Sequence, residues 1–145
     1  MSFHPNNSKA QRGGKAVAVP GEIKGYWEMH QKLGVLPWED LFAPIIALCD
    51  EGFEVSRHTG NALNGARNVI MNEPSLKEIF VNPETGDVYK QGDTLKRPVL
   101  ARTLEKIATP TGADDFYTGL IAKDILDDLQ EFGSIITAED LQKYQ

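Results

Sequence analysis

Gly13-Gly14-Lys15-Ala16-Val17-Ala18-Val19-Pro20-Gly21-Glu22 leads into the run Ile23 to Leu33, and Gly34-Val35-Leu36-Pro37-Trp38 closes the stretch. The Val-rich piece reads as a strand. Past Pro20-Gly21 the apolar residues fall at Ile23, Tyr26, Trp27, His30 and Leu33, which is helical spacing. A strand is therefore expected to feed directly into a helix, with Pro20-Gly21 as the turn. Glu22 suits the positive end of that helix, and Gly34 offers a left-handed closing residue.

Working outward, Pro37 stands where a second helix begins, because a first-turn residue needs no N–H partner. Leu41, Phe42, Ile45, Ile46, Leu48 and Cys49 mark that helix as apolar over a broad arc, so burial on most sides is expected, with closure near Gly52. Pro44 is expected early in this helix or at a kink. Phe53 to Arg57 reads as extended. A weaker helical pattern runs from Gly60 to Met71, and a short helix follows Pro74 with Ser75 as its cap. Asn82-Pro83-Glu84-Thr85-Gly86-Asp87 is a dense turn signal that predicts a small hairpin. Pro98 opens a further helix ended by Pro110 and Gly112. A short helical turn at 114–119 precedes another helix whose face carries Ile121, Ile125, Leu126 and Leu129, stopped by Gly133. Thr137 and Asp140 have the spacing of a capping box for a last helix beginning at Leu141, with Asp in place of the usual Glu or Gln. The start signal so close to Gln145 suggests a cut.

The fold class expected is thus mainly α with a short hairpin and extended pieces. Residues 1–14 read as a flexible lead-in, and 15–145 as one incomplete helical domain, since no repeat or linker divides them.

At 145 residues, 41% hydrophobic and 25% charged, the composition is that of a globular chain. A formal charge of −6 with no Lys/Arg run excludes a nucleic-acid footprint. The longest apolar run, Ala43 to Cys49, falls far short of the roughly 20 residues that span a bilayer, so the chain by itself reads as soluble. The N-terminus lacks the pattern of a secretion signal. One cysteine cannot form an internal disulfide.

Candidate chemistry is sparse. His4, His30 and His58 are too far apart for a local metal motif, and His30 reads as a packed, hydrogen-bonded residue. Cys49 sits in an apolar helix, where burial opposes the thiolate, and reads as a small core residue. Asp124, Asp127 and Asp128 read as a solvated acidic face, lacking the glycine and terminal Glu of a calcium loop. Gly13-Gly14-Lys15 fails as a phosphate loop, because Lys9 replaces the first glycine and Ala16 the Ser or Thr. No residue is assigned a catalytic, substrate-binding or metal role, and no cofactor is implied. Asn6-Asn7-Ser8 is the one glycosylation sequon, with Asn6 as its acceptor.

Ala16-Val17-Ala18-Val19-Pro20-Gly21-Glu22-Ile23-Lys24-Gly25, followed by Leu36-Pro37-Trp38-Glu39-Asp40-Leu41-Phe42-Ala43-Pro44, resembles the large subunit of the gamma-glutamyltransferases, also called gamma-glutamyl transpeptidases or glutathione hydrolases. The resemblance continues through 48–55, 92–104, 115–119 and 133–141, in family order. Departures are small: Ser134 replaces a glycine and Cys49 stands where alanine is common.

The resemblance implies an internal piece of an αββα N-terminal-nucleophile hydrolase. It implies transfer of the gamma-glutamyl group of glutathione to water, amino acids or dipeptides. The nucleophile would be a threonine at the start of a small subunit released by self-cleavage, so that subunit is the implied partner. In the family this threonine stands two residues before a histidine. No Thr-x-His occurs here: Ser2, Glu28 and Ser56 precede His4, His30 and His58 at that spacing. The implied glutamate-binding arginine lies ahead of the matched region. An extracellular or cell-surface location is implied for the full-length protein, with its signal or anchor upstream. A truncated, non-catalytic homologue serving as a helical binding module is the alternative.

Overall fold

The structure, a computed structural model, describes residues 13–144. The fold is mostly helical, with two antiparallel strand pairs among the described residues. In chain order the elements are a 3₁₀ turn at Gly14–Ala16, α1 (Glu22–Leu33), α2 (Trp38–Glu51), β1 (Phe53–Glu54), α3 (Arg57–Gly65), α4 (Arg67–Asn72), α5 (Pro74–Phe80), β2 (Val81–Asn82), β3 (Asp87–Val88), β4 (Thr94–Leu95), α6 (Pro98–Ala108), α7 (Gly112–Thr118), α8 (Leu120–Glu131) and α9 (Ala138–Gln142). His4 and Asn6 lie outside the described residues.

Two compact units emerge, 13–42 with 105–144, and 43–104. Their boundaries fall inside α2 and α6, both continuous helices, which is why no linker composition marks them.

In the first unit, α7 packs against α1, α8 and α9, and α8 also meets the 3₁₀ turn. Ile107, Ala113, Phe116, Tyr117, Ile121 and Leu141 are buried there. The capping box forms as read: Thr137 Oγ1 accepts from the Asp140 N–H (3.2 Å), and the Asp140 carboxylate accepts from the Thr137 N–H (2.9 Å) and hydroxyl (2.7 Å). The Thr137 hydroxyl is the main cause that holds the Asp140 carboxyl below its ordinary value of 3.8, with the Thr137 amide next. A lowered folded-state value means that this contribution is fully present above that ordinary range and is lost as pH falls through the lowered one. The stability gap between the wild-type chain and Asp140→Ala is therefore expected to be open at about pH 6 and to narrow as pH falls below about 3.8, read by thermal unfolding.

The second unit buries Leu63, Ile70 and Val88, with Leu76, Phe80, Val81 and Tyr89 packed around them. The hairpin pairs Val81 with Val88 and Asn82 with Asp87, and Gly86 (φ 68°) takes the left-handed turn position. β1 pairs with β4 through Phe53–Leu95 and Glu54–Thr94. Arg67 Nε donates to Asp87 Oδ1 at 2.7 Å, tying α4 to the hairpin.

Several sequence expectations are corrected. Val17–Pro20 forms no ladder among the described residues. Gly34 is not left-handed (φ −67°, ψ 140°). A Cβ there would collide with the ring and carbonyl oxygen of His30, so close approach explains the glycine. α2 is not buried on most sides: Trp38, Phe42 and Cys49 are buried, whereas Leu41, Ile45 and Leu48 are 43–53% exposed. Pro44 lies inside α2 rather than in its first turn. Residues 57–72 form two helices that break at Ala66, in place of the single weak helix expected from Gly60 to Met71, and Ser56 caps the first by accepting from the Thr59 N–H at 3.1 Å. Ser75 caps nothing. Pro74 takes the first helical position, and the Ser75 hydroxyl donates to Glu73 Oε1. Gly112 begins α7 rather than merely ending α6.

Gly25 sits inside α1 with nothing within 4 Å of a would-be Cβ. Gly25→Ala is expected to stabilise the chain by about 0.5–1 kcal/mol, because alanine is the better helix former, as denaturant unfolding will show.

Candidate functional site

The corner where the Val-rich segment meets α1 gathers the polar contacts of the first unit. Pro20 fixes the approach, and the Tyr117 hydroxyl from α7 donates to the Pro20 carbonyl at 2.7 Å. The Tyr117 hydroxyl oxygen in turn accepts from the Lys24 N–H at 3.1 Å, satisfying one first-turn donor that a helix otherwise leaves open. Tyr144 stacks on Tyr117 (6.0 Å, 4°), and the Lys24 ammonium lies 5.8 Å above its ring. Burial, the largest cause, raises the Tyr117 phenol above its ordinary value. A phenol so raised stays protonated near neutrality and acts as a clamp, not as a base.

The corner is closed to anions as well. Glu22 occupies the first turn and accepts from the Tyr26 hydroxyl at 3.1 Å, so the favourable electrostatic position already holds a carboxylate.

A second cluster joins α1 to α2. Trp38 is buried, and its Nε1–H donates to the Ile107 carbonyl at 2.9 Å. Its ring meets Trp27 (5.1 Å), His30 (5.3 Å) and Phe42 (4.8 Å) edge-on. His30 Nε2 lies 2.8 Å from the Leu36 carbonyl, a contact that requires the proton on that nitrogen. Nδ1 is buried without a protein partner among the described residues. His30 thus pins the 34–37 connection against α1, as a packed histidine would.

The remaining sequence candidates are not brought together. His58 lies exposed on α3, and Cys49 is buried in α2. Among the described residues no three His, Cys, Asp or Glu side chains are grouped to hold a metal ion. Asp124 pairs with Lys106 (3.5 Å) and Asp127 with Lys123, while Asp128 is exposed. Gly14 is buried and its N–H is committed to the Phe132 carbonyl (3.1 Å), so Gly13-Gly14-Lys15 cannot cradle phosphate. A cleft of about 420 Å³ in the second unit is lined by Ser75, Glu78, Lys96, Arg97 and Thr103 among others. Another of about 360 Å³ in the first unit includes Tyr117, Lys123, Asp127 and Gln142. In neither cleft does a hydrogen bond join a lining hydroxyl to a lining carboxylate or amine: Ser75 bonds to Glu73, and Thr103, Thr118 and Tyr117 bond to backbone carbonyls.

With no reacting constellation in the described residues, relatives decide what the scaffold belongs to. The family model described as Gamma-glutamyltranspeptidase matches residues 2–145. The chain belongs to the gamma-glutamyltranspeptidase family. The chain is 46% identical over 143 residues to Scoloptoxin SSD14 of Scolopendra dehaani, covering 99% of itself and 25% of that protein. It is 38% identical over 143 residues to Glutathione hydrolase proenzyme 1 of Schizosaccharomyces pombe, covering 98% of itself and 22% of the relative. Among solved structures, gamma-glutamyltranspeptidase of Helicobacter pylori matches with a TM-score of 0.87 and 34% identity, over 95% of this chain and 39% of that one. The chain therefore spans about a quarter of the length of these curated relatives.

The resemblance of the opening stretch is borne out at the level of family. Sequence reasoning missed the Tyr117 clamp and the Trp38 indole bond, both contacts between residues far apart in sequence. The one available signal was a Tyr and a Trp in otherwise apolar runs, since a buried Tyr or Trp usually finds a partner for its polar end.

Proposed function

We propose that this chain is a large-subunit segment of a gamma-glutamyltransferase/glutathione hydrolase. The enzyme transfers the gamma-glutamyl group of glutathione to water, an amino acid or a dipeptide. The observation that carries this is the family match over residues 2–145 together with the 0.87 TM-score to the Helicobacter pylori protein. The nucleophile is a threonine supplied by the small subunit of the same precursor, and its own amine assists proton transfer. The relative named a proenzyme supports that partner. The complete fold is the αββα sandwich of N-terminal-nucleophile hydrolases, to which these helices contribute the packing, and the whole protein works at the cell surface or outside the cell. Among the described residues no helix is long and apolar enough to cross a membrane.

This chain alone is expected to leave a gamma-glutamyl anilide intact, because it holds no Thr-x-His pair. Purified chain should match a boiled control. A chimera carrying it in place of the matched segment of the Helicobacter pylori enzyme should release the aniline. Release by the chain alone, or none by a folded chimera, sinks the reading.

The alternative, a non-catalytic binding module, draws on Leu33 at the end of α1 and Val35 and Leu36 just after it, which are 58–96% exposed. Concentration-dependent association with an inactive folded chimera would favour it.

A further inference from the structure

The cleft of about 420 Å³ in the second unit has Glu78 and Ile79 of α5 on one wall and Lys96, Arg97, Val99 and Leu100, where α6 begins, on the other. Its volume is that of a small-molecule site. Neither Lys96 nor Arg97 forms an ion pair among the described residues, and neither does Glu78, so the cleft holds two unpaired cations against one carboxylate. Arg97 is half-buried, and its backbone is held from both sides. Its N–H donates to the Cys49 carbonyl at 2.7 Å, and its carbonyl accepts from the Ala101 N–H at 3.0 Å. The same wall adds neutral donors, because the Val99 and Leu100 N–H groups reach no acceptor among the described residues. The start of α8 shows what such donors take: its Leu120 and Ile121 N–H groups both reach the Asp115 carboxylate, at 3.0 and 3.2 Å. The first turn of α6 holds no acidic residue. Beside these polar groups the lining is apolar, with Ile79 half-buried and Val99 61% exposed.

We propose that this cleft binds a small monocarboxylate with an aliphatic body. The Arg97 guanidinium receives the carboxylate in its planar fork, and Lys96 adds a second positive charge beside it. The aliphatic body lies on Ile79 and Val99 and takes their apolar surface out of water. Two cations against Glu78 leave one net positive charge, which a single carboxylate neutralises. A dianion such as phosphate carries a charge that Glu78 repels, and it has nothing to lay on the apolar lining. The gamma-glutamyl transfer proposed above makes no use of this cleft, so the two readings stand or fall separately.

Isocaproate is the probe, titrated into the isotope-labelled full chain in a carboxylate-free buffer and followed by amide magnetic resonance. Saturable shifts are expected at Ile79, Val99 and Leu100. Isocaproamide keeps the body and loses the charge, whereas acetate keeps the charge and loses the body; each is expected to bind about tenfold more weakly or worse. Arg97→Gln should weaken isocaproate by about tenfold and leave the unfolding midpoint in place, since the fold uses the backbone of Arg97. Lys96→Gln, at an exposed position, should weaken it in the same direction and keeps the test open if Arg97→Gln unfolds. The absence of saturable shifts at these three amides overturns the proposal, as does isocaproate binding that both variants leave unchanged. Isocaproamide binding as tightly as isocaproate reduces the cleft to an apolar patch and overturns it. Phosphate or acetate binding as tightly reduces it to a charge effect and overturns it too.

Discussion

Replacing Trp38 with alanine is expected to destabilise the chain by about 3–5 kcal/mol, the range for truncating a buried large aromatic. The residue is 8% exposed and is the centre of three edge-on ring contacts, with Trp27, His30 and Phe42 at 4.8–5.3 Å. Truncation removes the ring, opens a void beside α1 and leaves the Ile107 carbonyl without the indole N–H that reaches it at 2.9 Å. Trp38→Phe keeps most of the ring and loses the donor, so it is expected to cost about 1–3 kcal/mol, the penalty for one buried unpaired acceptor. Urea unfolding followed by far-ultraviolet circular dichroism resolves the order wild type, Phe, Ala. A loss under about 1 kcal/mol for Trp38→Ala contradicts a packed aromatic centre.

Gly112→Ala is expected to be nearly as severe, about 3 kcal/mol, for a different reason. A Cβ at this position lands on the carbonyl oxygens of Lys106 and Ile107, in the last turn of α6. Those atoms are backbone and cannot swing aside as a side chain can. Relief requires moving the start of α7, which carries Phe116 and Tyr117 and through Tyr117 holds the Pro20 corner. The contrast with Gly25→Ala, a stabilising change at an open helix position, makes the pair informative. If both alanines shift the thermal midpoint in the same direction, the close approach at Gly112 is not what the glycine serves.

What was legible in the sequence was local. Pro20-Gly21 starting α1, Pro98 opening α6, the Asn82–Asp87 turn and the Thr137/Asp140 box all appear within a few residues of where spacing and turn chemistry put them. At Gly34 the glycine serves close approach rather than a left-handed turn, because sequence shows that a glycine follows a helix but not that the His30 ring lies against it. The broad apolar arc of α2 led to an expectation of burial that Leu41, Ile45 and Leu48 do not meet. Periodicity reports which face is apolar and is silent on whether the same chain covers it. The family was legible through resemblance, but the candidate site was not, because the resemblance gives no residue of this chain a role. The site's physical content, a phenol bridging residues 97 positions apart, leaves no periodic trace.

The most direct measurement is the sequence of the native gene product on both sides of these residues, read from the transcript. If this chain is a scaffold segment of a gamma-glutamyl-transferring enzyme, the reading frame continues past Gln145 into a segment carrying Thr-x-His, and the purified longer protein cleaves itself at that threonine. A stop codon directly after Gln145 contradicts the enzyme reading and leaves only the ancestry.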